Sequence, residues 1–158
     1  MFRDLTRKNK AIPREECIEL LQSQPRGVLS VLGDEGYPYG IPHNHWYCPE
    51  DGKIYFHSGK SGHKIDAING CNKASFCVYD QGFRKEGEWA LNIRSVIVFG
   101  RIEIVEDHAW AMEVTRRLSY NFTSDSKYIE EEIEKYGKNT LCFALVPEHI
   151  TGKLVTES

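Results

Sequence analysis

The chain has 158 residues, 41% hydrophobic and 27% charged, with a formal net charge of −3 at pH 7. One domain spanning 1–158 is the expectation, and this charge gives no general attraction to nucleic acid or to an anionic membrane. No apolar run approaches the ~20 residues of a membrane-spanning helix. The five cysteines, Cys17, Cys48, Cys71, Cys77 and Cys142, are odd in number and contain no CxxC pair. They argue against a disulfide framework and for reduced thiols.

Residues 1–12 are basic and polar and predict an extended arm. The first five residues lack the apolar core of a secretory signal, so a cytoplasmic protein is expected. Pro13 with Glu15 and Glu16 opens a helix that runs to about Gln24 and stops at Pro25. Residues 28–32 (VLSVL) predict a strand, and Gly33-Asp34-Glu35-Gly36 a hairpin turn. The return strand, 37–47, carries Pro38 and Pro42. Because proline cannot donate to a ladder, that strand belongs at an edge, at a bulge or beside a ligand.

A turn at 49–52 leads into a strand over 53–57, then a polar turn, then a short helix over 63–69. The strands at 74–79 and 91–105 follow, separated by the charged loop 80–89. Gly100, in the middle of the second, predicts a bulge or a close backbone approach. Asp107 caps a helix through Tyr120, with Trp110, Val114 and Leu118 on one face. Ser124 or Asp125 opens another, ended by Gly137. A strand over 140–146 follows, and 147–153 closes the pattern. Strands joined mostly by hairpins predict a mainly β fold, an antiparallel barrel with peripheral helices.

The polar turn carries the most chemistry. A strand, a glycine-bearing turn and a helix N-terminus together offer free N–H groups and the positive end of a helix dipole to an anion. His57, Ser58, Lys60, Ser61, His63 and Lys64 crowd the same place, with Ser61 as the expected N-cap and Gly70 as the C-cap glycine. The same Gly-Lys-Ser-Gly is also an ordinary exposed turn, and it does not meet the GxxxxGK[ST] pattern of a P-loop.

Four stretches in this order resemble one family. They are the hairpin 27–31 and 36–42; Ile54–Ser58 followed by Gly62-His63-Lys64-Ile65; Ser95–Arg101; and Ile150-Thr151-Gly152-Lys153. Together they resemble the FMN-binding split-barrel superfamily of pyridoxamine 5′-phosphate oxidase, and within it the Nim-type, nitroimidazole-resistance-like flavoproteins. The resemblance implies a six-stranded split barrel, and a homodimer with FMN at the subunit interface. It implies a phosphate at His57, Ser58, His63 and Lys64, with Lys60 and Gly62 of the same turn also expected to bind the cofactor. The flavin ring would lie along Ile41-Pro42-His43-Asn44, with Ser95 and Val96 reaching it from the partner subunit. The oxidase's C-terminal segment has no match here, which leaves the small-molecule substrate open.

His43, His45 and Cys48 are the one candidate metal set. No fourth ligand is evident, and His43 reads better as a flavin neighbour than as a ligand. The three tryptophans read as core or interface residues, and Glu130-Glu131-Glu132 as a solvated helix face. Two functional classes follow. One is an FMN-dependent oxidoreductase, with NAD(P)H as a candidate reductant. The other is a non-catalytic split barrel holding flavin or haem. Colour and anaerobic bleaching by NADPH separate them.

Overall fold

The two edges of the β-sheet are joined by a single residue. The computed structural model describes residues 1–157. Its strands are β1 (Arg26–Leu32), β2 (Pro38–Asn44), β3 (Trp46–Tyr47), β4 (Ile54–Gly59), β5 (Lys73–Tyr79), β6 (Leu91–Ile104) and β7 (Thr140–Glu157). They form one antiparallel sheet in the order β2-β1-β5-β6-β7-β4-β3. β2 and β3 are its opposite edges, yet only His45 separates them in sequence. Neighbouring Cα atoms are ~3.8 Å apart, so the edges must meet there and the sheet must curl on itself. This is the split barrel, with seven strands where six are expected.

The extra strand arises because the expected strand 37–47 serves two partners. Its first part pairs with β1, from Leu32↔Pro38 to Arg26↔Asn44, whereas Trp46 and Tyr47 pair with β4. The chain switches partner at His45, whose ring is buried. His45 Nε2 donates to Leu21 O at 2.7 Å, and the ring meets Phe76 edge-on at 4.8 Å. Pro38 and Pro42 fall on the edge strand, where a missing donor breaks no ladder.

β6 and β7 form the spine. Their register shifts at Phe99/Gly100, opposite His149 and Pro147, so Glu148 is the extra residue. A Cβ on Gly100 would lie 2.1 Å from the Val146 carbonyl oxygen, which is why the position is glycine. The close approach expected at Gly100 is thus to β7 of the same chain. The bulge also accommodates Pro147, so β7 continues to Glu157 instead of ending at 146.

The barrel interior holds Leu29, Phe56, Phe76, Val98, Phe143 and Leu145. One end is plugged by Cys17, Leu20 and Leu21 of α1 (Arg14–Ser23). Full burial of such a side chain contributes about 1.5–3 kcal/mol each. A second apolar cluster lies outside the barrel, where Tyr55, Cys142 and Ala144 meet Val114 and Leu118 of α3 (His108–Tyr120). α3 and α4 (Ser126–Tyr136) are inserted between β6 and β7. Asp107 and Asp125 cap them, accepting from Trp110 N and Tyr128 N. Among the described residues, no helix is long and apolar enough to cross a membrane.

Candidate cofactor site

The polar turn after β4 leads into α2 (His63–Gly70), whose start differs from those of α3 and α4. Its N-cap is Gly62, at φ +130°, a conformation that side-chain-bearing residues rarely adopt, and no side chain caps the helix. The expected N-cap, Ser61, sits one residue too early. Gly70 is likewise the last helical residue and not a left-handed cap, since Cys71 N closes the turn onto Ala67 O. The first-turn N–H groups of α2 therefore have no side-chain acceptor.

Beside this end, Lys64 Nζ lies 2.9 Å from His43 Nε2. The ammonium can only donate, so Nε2 is the acceptor. Nδ1 then carries the ring proton and donates to Asn44 O at 2.9 Å. The His43 ring is held edge-on by Phe56 and Phe143, with centroids at 5.1 and 5.9 Å. Burial, with Lys64 adding to it, lowers the His43 pKa to about 4. Burial and Lys64 also lower that of His57, and burial lowers that of Lys64 itself. Among the described residues, no carboxylate lies within 4.0 Å of Lys64. A half-buried cation has thus given up water without gaining an anion, which costs stability unless a ligand supplies one.

The other expected site residues divide around this pair. Ser58 is half-buried, and its hydroxyl donates to Gly59 O at 2.8 Å. Lys60 and Gly62 are exposed on the turn. His63 turns away from Lys64. It stacks on Tyr39 with centroids 4.1 Å apart, and its Nε2 lies 3.7 Å from an Asp34 carboxylate oxygen. Tyr39 and Asp34 carry no motif signal, because their link to His63 spans more than twenty residues.

Along β2, Ile41 packs against the barrel core and Pro42 is exposed on the opposite face. Asn44 Oδ1 accepts from Arg26 Nε at 2.8 Å. Ser95 is half-buried on β6, but Val96 is fully buried in the barrel core. The Val96 side chain is therefore not available to a ligand, which leaves its backbone groups as what it can offer from the strand. Strand alternation sends one of any two neighbours inward, and here it is Val96.

The candidate metal set does not converge. His43 turns to Lys64, His45 to Leu21 O, and the Cys48 thiol to Glu50, at 3.2 Å. A cavity of about 280 Å³ opens between α3, α4 and the outer face of the sheet, with Asn44 and His57 in its lining. His57 thus borders both this cavity and the charge of Lys64.

Comparison with known proteins agrees with this architecture. A family model described as pyridoxamine 5′-phosphate oxidase matches residues 13–154. No curated protein matches the chain. Among solved structures, a candidate 5-nitroimidazole antibiotic resistance protein from Bacteroides thetaiotaomicron is similar, with a TM-score of 0.76 at 19% identity, over 93% of this chain and 87% of that one. A conserved hypothetical protein from Mycobacterium tuberculosis gives a TM-score of 0.78 at 18% identity, over 95% and 90%. An FAD-binding protein from Mycobacterium smegmatis gives 0.67 at 22% identity, over 94% and 99%. At these identities the structures speak for the fold, while the family model covers nearly the whole sequence: the chain belongs to the pyridoxamine 5′-phosphate oxidase family.

Proposed function

We propose that the chain binds FMN across the interface of a homodimer and serves in the cytoplasm as an FMN-dependent oxidoreductase of a small molecule, with NAD(P)H as reductant. The observation that carries the reading is Lys64, a half-buried cation with no carboxylate partner among the described residues, beside an uncapped helix N-terminus. A phosphate monoester would supply the missing anion and accept the free N–H groups. The family match and the FAD-binding neighbour support a flavin.

In this arrangement Lys64 and the first turn of α2 would hold the phosphate, with Ser58 and Lys60 at its edge. His43 positions Lys64 by accepting its hydrogen bond, and the edge strand Ile41–Asn44 offers a surface for the ring system. When bound, a flavin supplies hydride or single-electron transfer, and the protein supplies placement and electrostatics. The two-chain site is supported by a run of exposed apolar residues on the outer sheet face, Leu32, Tyr79, Ile97 and Phe99.

The test is spectroscopic. Purified protein should show flavin absorbance, and NADPH added anaerobically should bleach it. A Soret band in place of flavin absorbance would favour a haem-binding barrel, and flavin that NADPH leaves coloured would favour a passive binder.

A further inference from the structure

The insertion between β6 and β7 does work that the sheet does not need. β6 and β7 pair directly as far as Ile104↔Phe143, so a short turn would connect them. Instead 35 residues, 105–139, build α3 and α4. α3 packs on the sheet through Val114 and Leu118, whereas α4 packs on α3 and buries only Ile129 fully. The space left beneath α4 is the cavity of about 280 Å³.

Its walls are apolar and aromatic, formed by Leu118, Phe122, Tyr128, Ile133 and Tyr136. Phe122, Tyr128 and Tyr136 remain about half exposed, although Arg26 lies over the Phe122 ring and Lys135 over the Tyr136 ring, each at 5.7 Å. The polar groups decide what fits. The Thr115, Ser119 and Thr140 hydroxyls already donate to the carbonyls of Ala111, Thr115 and Tyr136. Asn44 is engaged by Arg26. Among the described residues, the Glu132 carboxylate, the His57 imidazole and the half-exposed Tyr128 and Tyr136 hydroxyls have no partner, and of these Glu132 alone carries a formal charge.

Glu132 stands at the border of the acidic face, lining both the cavity and a shallow outer groove with Glu131, Glu134 and Lys135. Residues 129, 132, 133 and 136 share one side of α4, so Glu132 stands on the apolar side, half-buried over the cavity. Glu130 and Glu131 point elsewhere, to Arg116 and Lys127. Glu132 has no cation within 4.0 Å among the described residues. A carboxylate so placed accepts hydrogen bonds and favours positive charge.

We infer that the cavity beneath α4 is the substrate pocket, and that it takes a small single-ring aromatic compound whose protonated nitrogen faces Glu132. The name substrate pocket rests on the flavin reading above, through His57, which borders both the cavity and Lys64. The volume lies just below the roughly 300–1,000 Å³ of drug-sized sites, which limits the ligand to one ring with short substituents. A phosphorylated or carboxylated ring is disfavoured, because Glu132 is the only formally charged group in the lining among the described residues.

Benzamidine is a suitable probe, a single ring with an amidinium group, and benzoate is its anionic counterpart. Titrations followed by calorimetry should show benzamidine binding and no benzoate binding. Glu132→Gln should weaken benzamidine binding roughly tenfold or more. Glu131→Gln, on the exposed face of the same helix, should leave it unchanged. Ile133→Trp, which fills the cavity from its wall, should block binding independently of charge. FMN affinity should be unaffected by Glu132→Gln.

Benzamidine affinity equal in wild type and Glu132→Gln, benzoate binding as tight as benzamidine, or binding that survives Ile133→Trp would each overturn the inference. So would a loss of FMN affinity in Glu132→Gln, since the cavity would then belong to the cofactor. If benzamidine binds through Glu132 but FMN does not bind at all, the flavin reading falls and the aromatic-cation site stands.

Discussion

Lys64 Nζ lies 2.9 Å from His43 Nε2, and this ammonium–imidazole contact joins α2 to the edge strand β2 across the mouth of the barrel. It fixes the tautomer of His43 and leaves the positive charge of Lys64 unneutralised. Both consequences can be tested.

Lys64→Ala should weaken FMN binding by about 1.5–3 kcal/mol, the range for a hydrogen bond to a charged group. That is on the order of tenfold to a hundredfold in affinity. Lys60→Ala, on the exposed turn, should do less. His63→Ala should also do less than Lys64→Ala, because its ring is stacked on Tyr39. Quenching of FMN fluorescence on titration with apoprotein measures all three. Equal affinities for wild type and Lys64→Ala would place the phosphate elsewhere.

The ligand-free protein should respond in the opposite direction. Burial lowers the Lys64 pKa, so its charged form is less favourable in the folded chain than in the unfolded one. Lys64→Met should therefore raise the melting temperature of apoprotein at neutral pH while reducing the stabilisation that added FMN gives the wild type. A lower melting temperature for Lys64→Met apoprotein would show that the lysine is already compensated.

Acid should destabilise the fold through two histidines. His43 and His45 both have pKa values lowered to about 4, chiefly by burial, against about 6.5 when unfolded. Between those values the unfolded chain binds protons that the folded chain excludes. Stability is therefore full above about pH 6.5, falls as pH drops toward 4, and levels off below that with respect to these groups. At 1.36 kcal/mol per unit, each contributes a loss on the order of 3 kcal/mol over the window. Urea midpoints measured from pH 7 to 4.5 should fall steadily, and His45→Gln should reduce the slope. A midpoint flat across that range would contradict the neutral, buried state of both rings.

Two glycine replacements should have opposite signs. A Cβ on Gly100 meets the Val146 carbonyl oxygen at 2.1 Å, and backbone on both sides cannot yield cheaply. Gly100→Ala should cost at or above the upper end of the roughly 1–3 kcal/mol of overpacked cores. Gly70, at the end of α2, has nothing within 4 Å of such a Cβ and no positive φ. Gly70→Ala should be neutral or stabilise by up to about 1 kcal/mol, by restricting the unfolded chain. Urea denaturation of the two variants compares them directly.

The two-chain site predicts linkage between assembly and cofactor. Ile97→Lys places a charge on the exposed outer face of β6, where Ile97 is 38% exposed and can accommodate it in a lone subunit. Light scattering at micromolar concentration should report a dimer for wild type and a smaller species for Ile97→Lys, with FMN affinity reduced in parallel. A wild-type monomer that still binds flavin would remove the partner from the site.

The amino-acid sequence by itself determines the parts that depend on near neighbours. The Asp107 and Asp125 caps act over three residues, each accepting from the N–H three positions on. Gly100 marks its bulge, Pro38 and Pro42 mark an edge strand, and the strand–turn–helix order marks the start of α2, though the absence of a cap at Ser61 is seen only in the structure. Periodicity also carries the pattern that puts Glu132 beside Ile129 and Ile133 on one side of α4. Whether that side covers core or cavity depends on how α4 docks on α3, and tertiary packing alone sets that. The same holds for the break at His45, which requires two different strands to be waiting at opposite edges of the sheet. It holds for Val96, whose inward direction is fixed by ladder register, and for His63, drawn to Tyr39 and Asp34. Above all it holds for the contact of Lys64 with His43, twenty-one residues apart, because only the curling of the sheet brings β2 within reach of α2 and leaves the lysine's charge without a carboxylate to meet it.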